Sequence, residues 1–184
     1  MTWPSRRSNA RYGGDGIVSA AKVIRLHSDP WVLFYRASAL DESPDTWDLA
    51  ERLYIEALSL DPSLALAMTN IGNIVYRRDG AKPALDWYQL AIAADPDQPE
   101  ANHNAGHCYL DLHCQHEALA YFEHAVVCDP SFADAWYNLA IAREWTGYPE
   151  LAAQAFTRYL ASTDDPNGRF ANLARGHIER SRRV

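Results

Sequence analysis

Shifted against itself by 34 residues, this chain repeats. Ala50, Ala84, Ala118 and Ala152 fall in one column, and Ala57, Ala91 and Ala125 in another. Tyr54, Tyr88, Phe122 and Phe156 make an aromatic column. Asp61-Pro62, Asp95-Pro96 and Asp129-Pro130 mark one point of the period three times. Gly72, Gly106 and Ala140 share a small-residue column with Ser38. A unit this short cannot bury its apolar face alone, so the units must stack on one another as a solenoid.

Each column has a physical reason. Two apolar-periodic helices can be read in a unit, as in residues 65–78 and 82–94. A small residue on the first helix lets the second approach closely, and alanine on the second does the same while favouring helix. The aromatic is expected to fill volume between neighbouring units. Asp-Pro ends the second helix, because proline lacks an N–H and biases its predecessor away from helix. Pro83 and Pro149 sit near the expected start of a second helix, where proline is tolerated.

These columns resemble the tetratricopeptide repeat (TPR) family. The resemblance spans residues 31–166 as four units: 31–64, 65–98, 99–132 and 133–166. Unit one departs at Asp41, where the family places an aromatic. Unit four departs at Tyr159, where alanine is expected, and its proline is displaced to Pro166. Residues 167–184 read as a capping helix, with Phe170, Leu173, Ala174 and His177 continuing a first-helix pattern. Residues 17–30 read as an N-terminal helix, with its stripe at Ile17, Ala20, Ala21 and Ile24, and residues 1–16 as a flexible basic arm. The fold expected is all-α, a right-handed superhelix of helix-turn-helix repeats.

Charge is distributed unevenly. The formal net charge is -7, which argues against nucleic acid or an anionic membrane as partner. Between Trp31 and Pro166 there are 7 basic and 21 acidic residues, whereas the two ends together hold 10 basic and 3 acidic ones. No apolar run is long enough to span a bilayer, and the first residues lack the apolar stretch of a secretory signal. Cys108, Cys114 and Cys128 show no framework spacing and read as small packing residues in a reducing compartment. A cytoplasmic protein is expected.

The resemblance implies that first helices line a concave groove which holds a segment of a partner. In that architecture the sixth-position column is Arg36, Asn70, Asn104 and Asn138. It looks like an asparagine ladder, in which each amide matches the N–H and C=O of a threaded backbone. The plainer alternative is that these amides bond within the array. Other groove positions carry Tyr35 and Glu42, then Thr69, Asn73, Tyr76 and Arg77. They continue with Glu100, His103, His107 and Asp111, and end with Asp134, Tyr137, Glu144 and Trp145. Aromatics mixed with polar groups are what interface anchors look like.

TPR modules that clamp acidic chaperone tails use Lys and Arg where this chain has Val32, Tyr35, Ala39, Asn70, Asn73, Glu100 and Asn104. A neutral or basic segment is therefore favoured. Two alternatives remain. The basic ends could dock into the acidic groove of another copy, giving a self-assembling homo-oligomer. His103 and His107, four apart on one helix face, could make a metal-responsive adaptor. With no CxxC, phosphate loop, GxSxG or HExxH in the sequence, neither cofactor nor enzymatic activity is expected.

Overall fold

The computed structural model describes residues 29–181. The N-terminal helix expected over residues 17–30 lies outside them up to residue 28, as do the basic arm, Arg182 and Arg183. Among the described residues there are nine α-helices and no strand. They are α1 (Pro30–Ser38), α2 (Trp47–Leu60), α3 (Ala65–Asp79), α4 (Ala81–Ala94), α5 (Pro99–Asp111), α6 (Gln115–Cys128), α7 (Ala133–Trp145), α8 (Pro149–Ser162) and α9 (Arg169–Ser181). Each helix packs chiefly on its neighbours in sequence, most extensively within the pairs α3–α4, α5–α6 and α7–α8, and α9 packs on α8. That is the neighbour-only contact pattern of an all-α solenoid.

The aromatic column sits at the centre of these pairs. Tyr54, Tyr88, Phe122 and Phe156 are all buried, each worth about 1.5–3 kcal/mol of apolar burial. The partner of Tyr88 and of Phe122 is the small residue of its own pair, so these two rings fill space within a unit where filling between units was expected. A Cβ on Gly72 would stand 2.6 Å from Tyr88 Cε1, and one on Gly106 would stand 2.8 Å from Phe122 Cε1. Glycine is needed there for space.

The recurring aspartates do more than precede proline. Asp61 Oδ1 accepts from the N–H and hydroxyl of Ser63, and Asp129 Oδ1 accepts from the same groups of Ser131. These bonds hold both carboxyls below their ordinary pKa. Asp95 Oδ1 accepts from Asp97 N–H. Each aspartate thus folds the chain into the next helix by a local side-chain turn.

The end pairs differ for visible reasons. At Asp41 the chain has already left α1, and its carboxylate accepts from Tyr54 OH at 2.5 Å while its carbonyl accepts from Trp47 Nε1 at 2.8 Å. Tyr159 is buried against Tyr137, with ring centroids 5.2 Å apart. In α9 the buried stripe is Ala171 and Ala174, with Ile178 partly buried. Phe170 and Leu173 are exposed, contrary to their expected place in the stripe.

Candidate binding groove

Three depressions run along α3, α5 and α7. The first, about 300 Å³, is lined by Ser38, Asp41, Glu42, Asn70, Asn73, Ile74 and Arg77. The second, about 310 Å³, is lined by Asn73, Tyr76, Arg77, Tyr88, Asn104 and His107. The third, about 380 Å³, is lined by His103, His107, Asp134, Tyr137, Asn138, Tyr159 and Phe170. Asn73 and Arg77 belong to the first two and His107 to the last two, so the three form one line.

Eleven of the eighteen groove positions read from sequence meet along this line. Trp145 lines a separate depression with Leu110, Asp111, His113 and Gln115, and is 60% exposed. Arg36 is exposed in the last turn of α1, where a cation complements the helix dipole, and lines none of the three. Thr69 is corrected: it is 3% exposed, and its hydroxyl lies 2.7 Å from Gln98 Oε1 and 3.1 Å from the Ala65 carbonyl. Tyr88, Tyr159, Phe170, Ser38 and Asp41 were not among the groove positions. A cue existed for Tyr88: tyrosine, unlike Phe122 and Phe156, carries a hydroxyl that must find a partner.

That hydroxyl begins a chain of side-chain hydrogen bonds. Tyr88 OH donates to Asn73 Oδ1 at 2.8 Å, and Asn104 Nδ2 donates to the same oxygen at 2.9 Å. His103 Nδ1 lies 3.0 Å from Asn104 Oδ1, and His103 Nε2 lies 2.9 Å from Asn138 Nδ2. Only an Nδ1–H imidazole satisfies both contacts, donating to Asn104 and accepting from Asn138. Further along, Asn70 Nδ2 donates to Tyr54 OH at 2.7 Å. All three amides of the asparagine column therefore bond within the array. Asn104 uses both ends of its amide, while Asn70 and Asn138 keep an Oδ1 with no partner among the described residues.

Burial pushes His103 below its ordinary pKa, with weaker opposing effects from Asn104, Asp134 and Glu100. Burial also raises Tyr76, helped by its 2.5 Å bond to Asp111 Oδ2. Because the Tyr76 proton goes to Asp111, His107 Nδ1 at 3.2 Å must donate to the tyrosine oxygen. Glu144 is bonded to His177 Nδ1 of α9 at 2.7 Å.

His103 and His107 share a face, with ring centroids 6.5 Å apart, but do not make a metal pair. Both nitrogens of His103 are held by asparagines, and Nδ1 of His107 by Tyr76. Cys108 is a packing residue, fully buried, with its thiol pushed up to about 12 by burial. Cys114 and Cys128 are partly exposed, against the expectation that all three pack inside. No helix among the described residues is long and apolar enough to cross a membrane.

No family model matches the chain. It is 31% identical over 151 residues to the general transcriptional corepressor ssn6 of Schizosaccharomyces pombe, covering 81% of this chain. It is 24% identical over 156 residues to the protein O-mannosyl-transferase TMTC3 of Homo sapiens, covering 82% of this chain. The chain spans only 13% and 17% of those two relatives. Among solved structures, YrrB, a TPR protein with an unusual peptide-binding site, superposes with a TM-score of 0.70 at 20% identity, covering 92% of this chain and 83% of YrrB. The first TPR domain of RPAP3 bound to the HSP90 peptide SRMEEVD gives a TM-score of 0.59 at 24% identity, covering 67% of this chain and 94% of that one. The chain has the tetratricopeptide-repeat fold.

Proposed function

We propose that this chain is a protein-interaction module that lays an extended segment of a partner along α3, α5 and α7. Continuity carries the reading: the three depressions share Asn73, Arg77 and His107, so one segment placed along them meets all three. In this reading the array comprises four units, 31–64, 65–98, 99–132 and 133–166, wound as a right-handed superhelix with these helices on its concave side. Asn70 and Asn138 offer their remaining Oδ1 atoms to backbone N–H groups, and Arg77 donates to a carbonyl. Tyr76 and Tyr137 are the apolar anchors along this line and Trp145 a third in its own separate depression, while Asn104 and His103 belong to the wall that holds the others in place. The module acts in the cytoplasm by presenting a pre-formed surface and carries out no reaction.

The segment favoured is neutral or basic, because Asp41, Glu42 and Asp134 line the groove against the single cation Arg77. YrrB and the RPAP3 domain, which share the fold, are described with a peptide-binding site and a bound peptide. The test is affinity capture followed by binding measurements on the purified partner. Wild type is compared with Tyr76→Ala/Asn138→Ala in the groove and with Val127→Glu on the outer helix α6, where the valine is 74% exposed. Equal helicity of the three proteins by circular dichroism is required first. A partner lost by the groove variant and kept by Val127→Glu supports the reading, and the opposite pattern overturns it. Recovery of this chain alone would favour self-assembly.

A further inference from the structure

The outer face of the array holds a second constellation. His124 and Cys128 stand one turn apart on α6, with Nδ1 and Sγ 3.4 Å from each other. Asp97, from the turn between α4 and α5, joins them, and the three ligand atoms all lie within 4.8 Å of one another. We propose that Asp97, His124 and Cys128 bind a divalent transition-metal ion of the zinc type.

Geometry and donor chemistry agree. A tetrahedral ion with bonds of about 2.3 Å to sulfur and about 2.0 Å to nitrogen places those two atoms roughly 3.5 Å apart. The observed separation is 3.4 Å. The carboxylate must close by at most about 1.5 Å to bond at about 2.0 Å, which a side-chain rotation on an exposed turn supplies. Thiolate, imidazole and carboxylate together suit zinc better than magnesium or calcium, which prefer oxygen alone. Three protein ligands leave the fourth position to water. As the Sγ–metal bond forms, the thiol proton leaves to solvent.

The repeat gives independent support. The turn positions equivalent to Asp97 are Ser63 and Ser131, both hydrogen-bonded to their own turn aspartates, and Asp29 and Asp165 at the two ends of the array. The positions equivalent to His124 are Glu56, Leu90 and Arg158, and those equivalent to Cys128 are Leu60, Ala94 and Ser162. Only at this register do all three positions carry metal-binding side chains, and the three converge in space. Among the described residues, the Asp97 carboxylate accepts no hydrogen bond, and His124 and Cys128 have no side-chain hydrogen bond except to each other. The turn itself is fixed by Asp95, whose N–H bonds to the Ala91 carbonyl at 2.8 Å and whose Oδ1 holds Asp97 N–H at 3.2 Å. A bound ion would clamp the α4–α5 turn to α6, and would do so independently of the groove.

Cobalt(II) is the probe, titrated into the reduced, metal-free full chain and followed by visible absorption, with zinc(II) then added as competitor. The expected result is one equivalent of tetrahedral cobalt with a thiolate-to-metal charge-transfer band, displaced by zinc. Cys128→Ser should abolish that band, while His124→Ala and Asp97→Asn should each weaken binding by at least about tenfold. Cys114→Ser and His107→Ala should leave it unchanged. All five side chains are at least partly exposed, and circular dichroism checks that each variant folds. No charge-transfer band in wild type, or a band that survives Cys128→Ser, overturns the proposal.

Discussion

Asn138 Nδ2 lies 2.9 Å from His103 Nε2, and this contact ties α7 to α5 only while the imidazole is neutral. Protonation would place an N–H at Nε2, facing the amide's own N–H groups. Desolvation already lowers the folded pKa of His103 below its ordinary 6.5. The unfolded chain therefore binds the proton more readily than the folded one. Stability from this group is complete above about pH 6.5 and declines as pH falls from there toward the folded pKa. His103→Gln, which cannot titrate, should show a shallower acid decline in urea-denaturation stability than wild type. NMR titration should give a His103 midpoint below 6.5; one above it would refute the assignment.

Glycine at 72 and glycine at 176 should respond oppositely to alanine. At Gly72 the added methyl would meet Tyr88 carbon atoms at 2.6 and 2.8 Å, in a buried ring that cannot move freely. Overpacking of this kind costs about 1–3 kcal/mol, of which helix propensity returns up to about 1. At Gly176 the nearest atom is Arg180 Nη1 at 3.6 Å, an ordinary contact at the end of a flexible side chain. Urea denaturation should show Gly72→Ala less stable by about 1 kcal/mol and Gly176→Ala more stable by about 0.5–1 kcal/mol.

His113 has a φ of 60°, and Gly147, which stands 34 residues later, has a φ of 87°. Both follow a first helix and return a backbone bond to it: Cys114 N–H to the Tyr109 carbonyl, and Tyr148 N–H to the Arg143 carbonyl, each at 2.8 Å. A left-handed residue that is not glycine costs about 1–2 kcal/mol. His113→Gly should therefore raise stability by about 0.5 kcal/mol, once the greater freedom of glycine in the unfolded chain is subtracted. His113→Val should lower it, because a β-branched side chain tolerates positive φ least. Unchanged midpoints for both would mean the turn carries no strain.

The array was legible because stacking forces the same contact at every unit, so Gly72 and Gly106 recur opposite Tyr88 and Phe122. The groove positions followed from the same register, and Asn70, Asn73, Tyr76, Arg77 and His107 do line it. What escaped the sequence were contacts made once. Thr69 was placed in the groove, but Gln98, 29 residues away, draws its hydroxyl into the core. In sequence the amides of Asn104 and Asn138 read either as facing a ligand or as bonding within the array, and His103 donates to the one and accepts from the other because its ring sits between them. His124 and Cys128 are i, i+4 on α6, a spacing visible in sequence, but their third partner, Asp97, lies 27 residues before His124 and only the packing of the α4–α5 turn beside α6 reveals it.

Groove charge makes a final expectation that separates this chain from its fold neighbour with a bound acidic peptide. RPAP3 holds SRMEEVD, whereas this groove is lined by Asp41, Glu42 and Asp134 and by one cation, Arg77. Like charges facing each other at a surface cost about 0.2–1 kcal/mol a pair, so several pairs suffice to exclude an acidic heptapeptide. Fluorescence anisotropy should show no binding of SRMEEVD at concentrations that saturate the RPAP3 domain, and weak binding of the charge-reversed SRMKKVK that fades as salt rises. Arg77→Glu should strengthen the basic peptide about two- to fivefold, the effect of roughly one exposed pair, and Asp41→Asn/Asp134→Asn should weaken it by a similar factor. Tighter binding of the acidic peptide would mean that Arg77 outweighs the three carboxylates, and would reverse the partner class proposed for the groove.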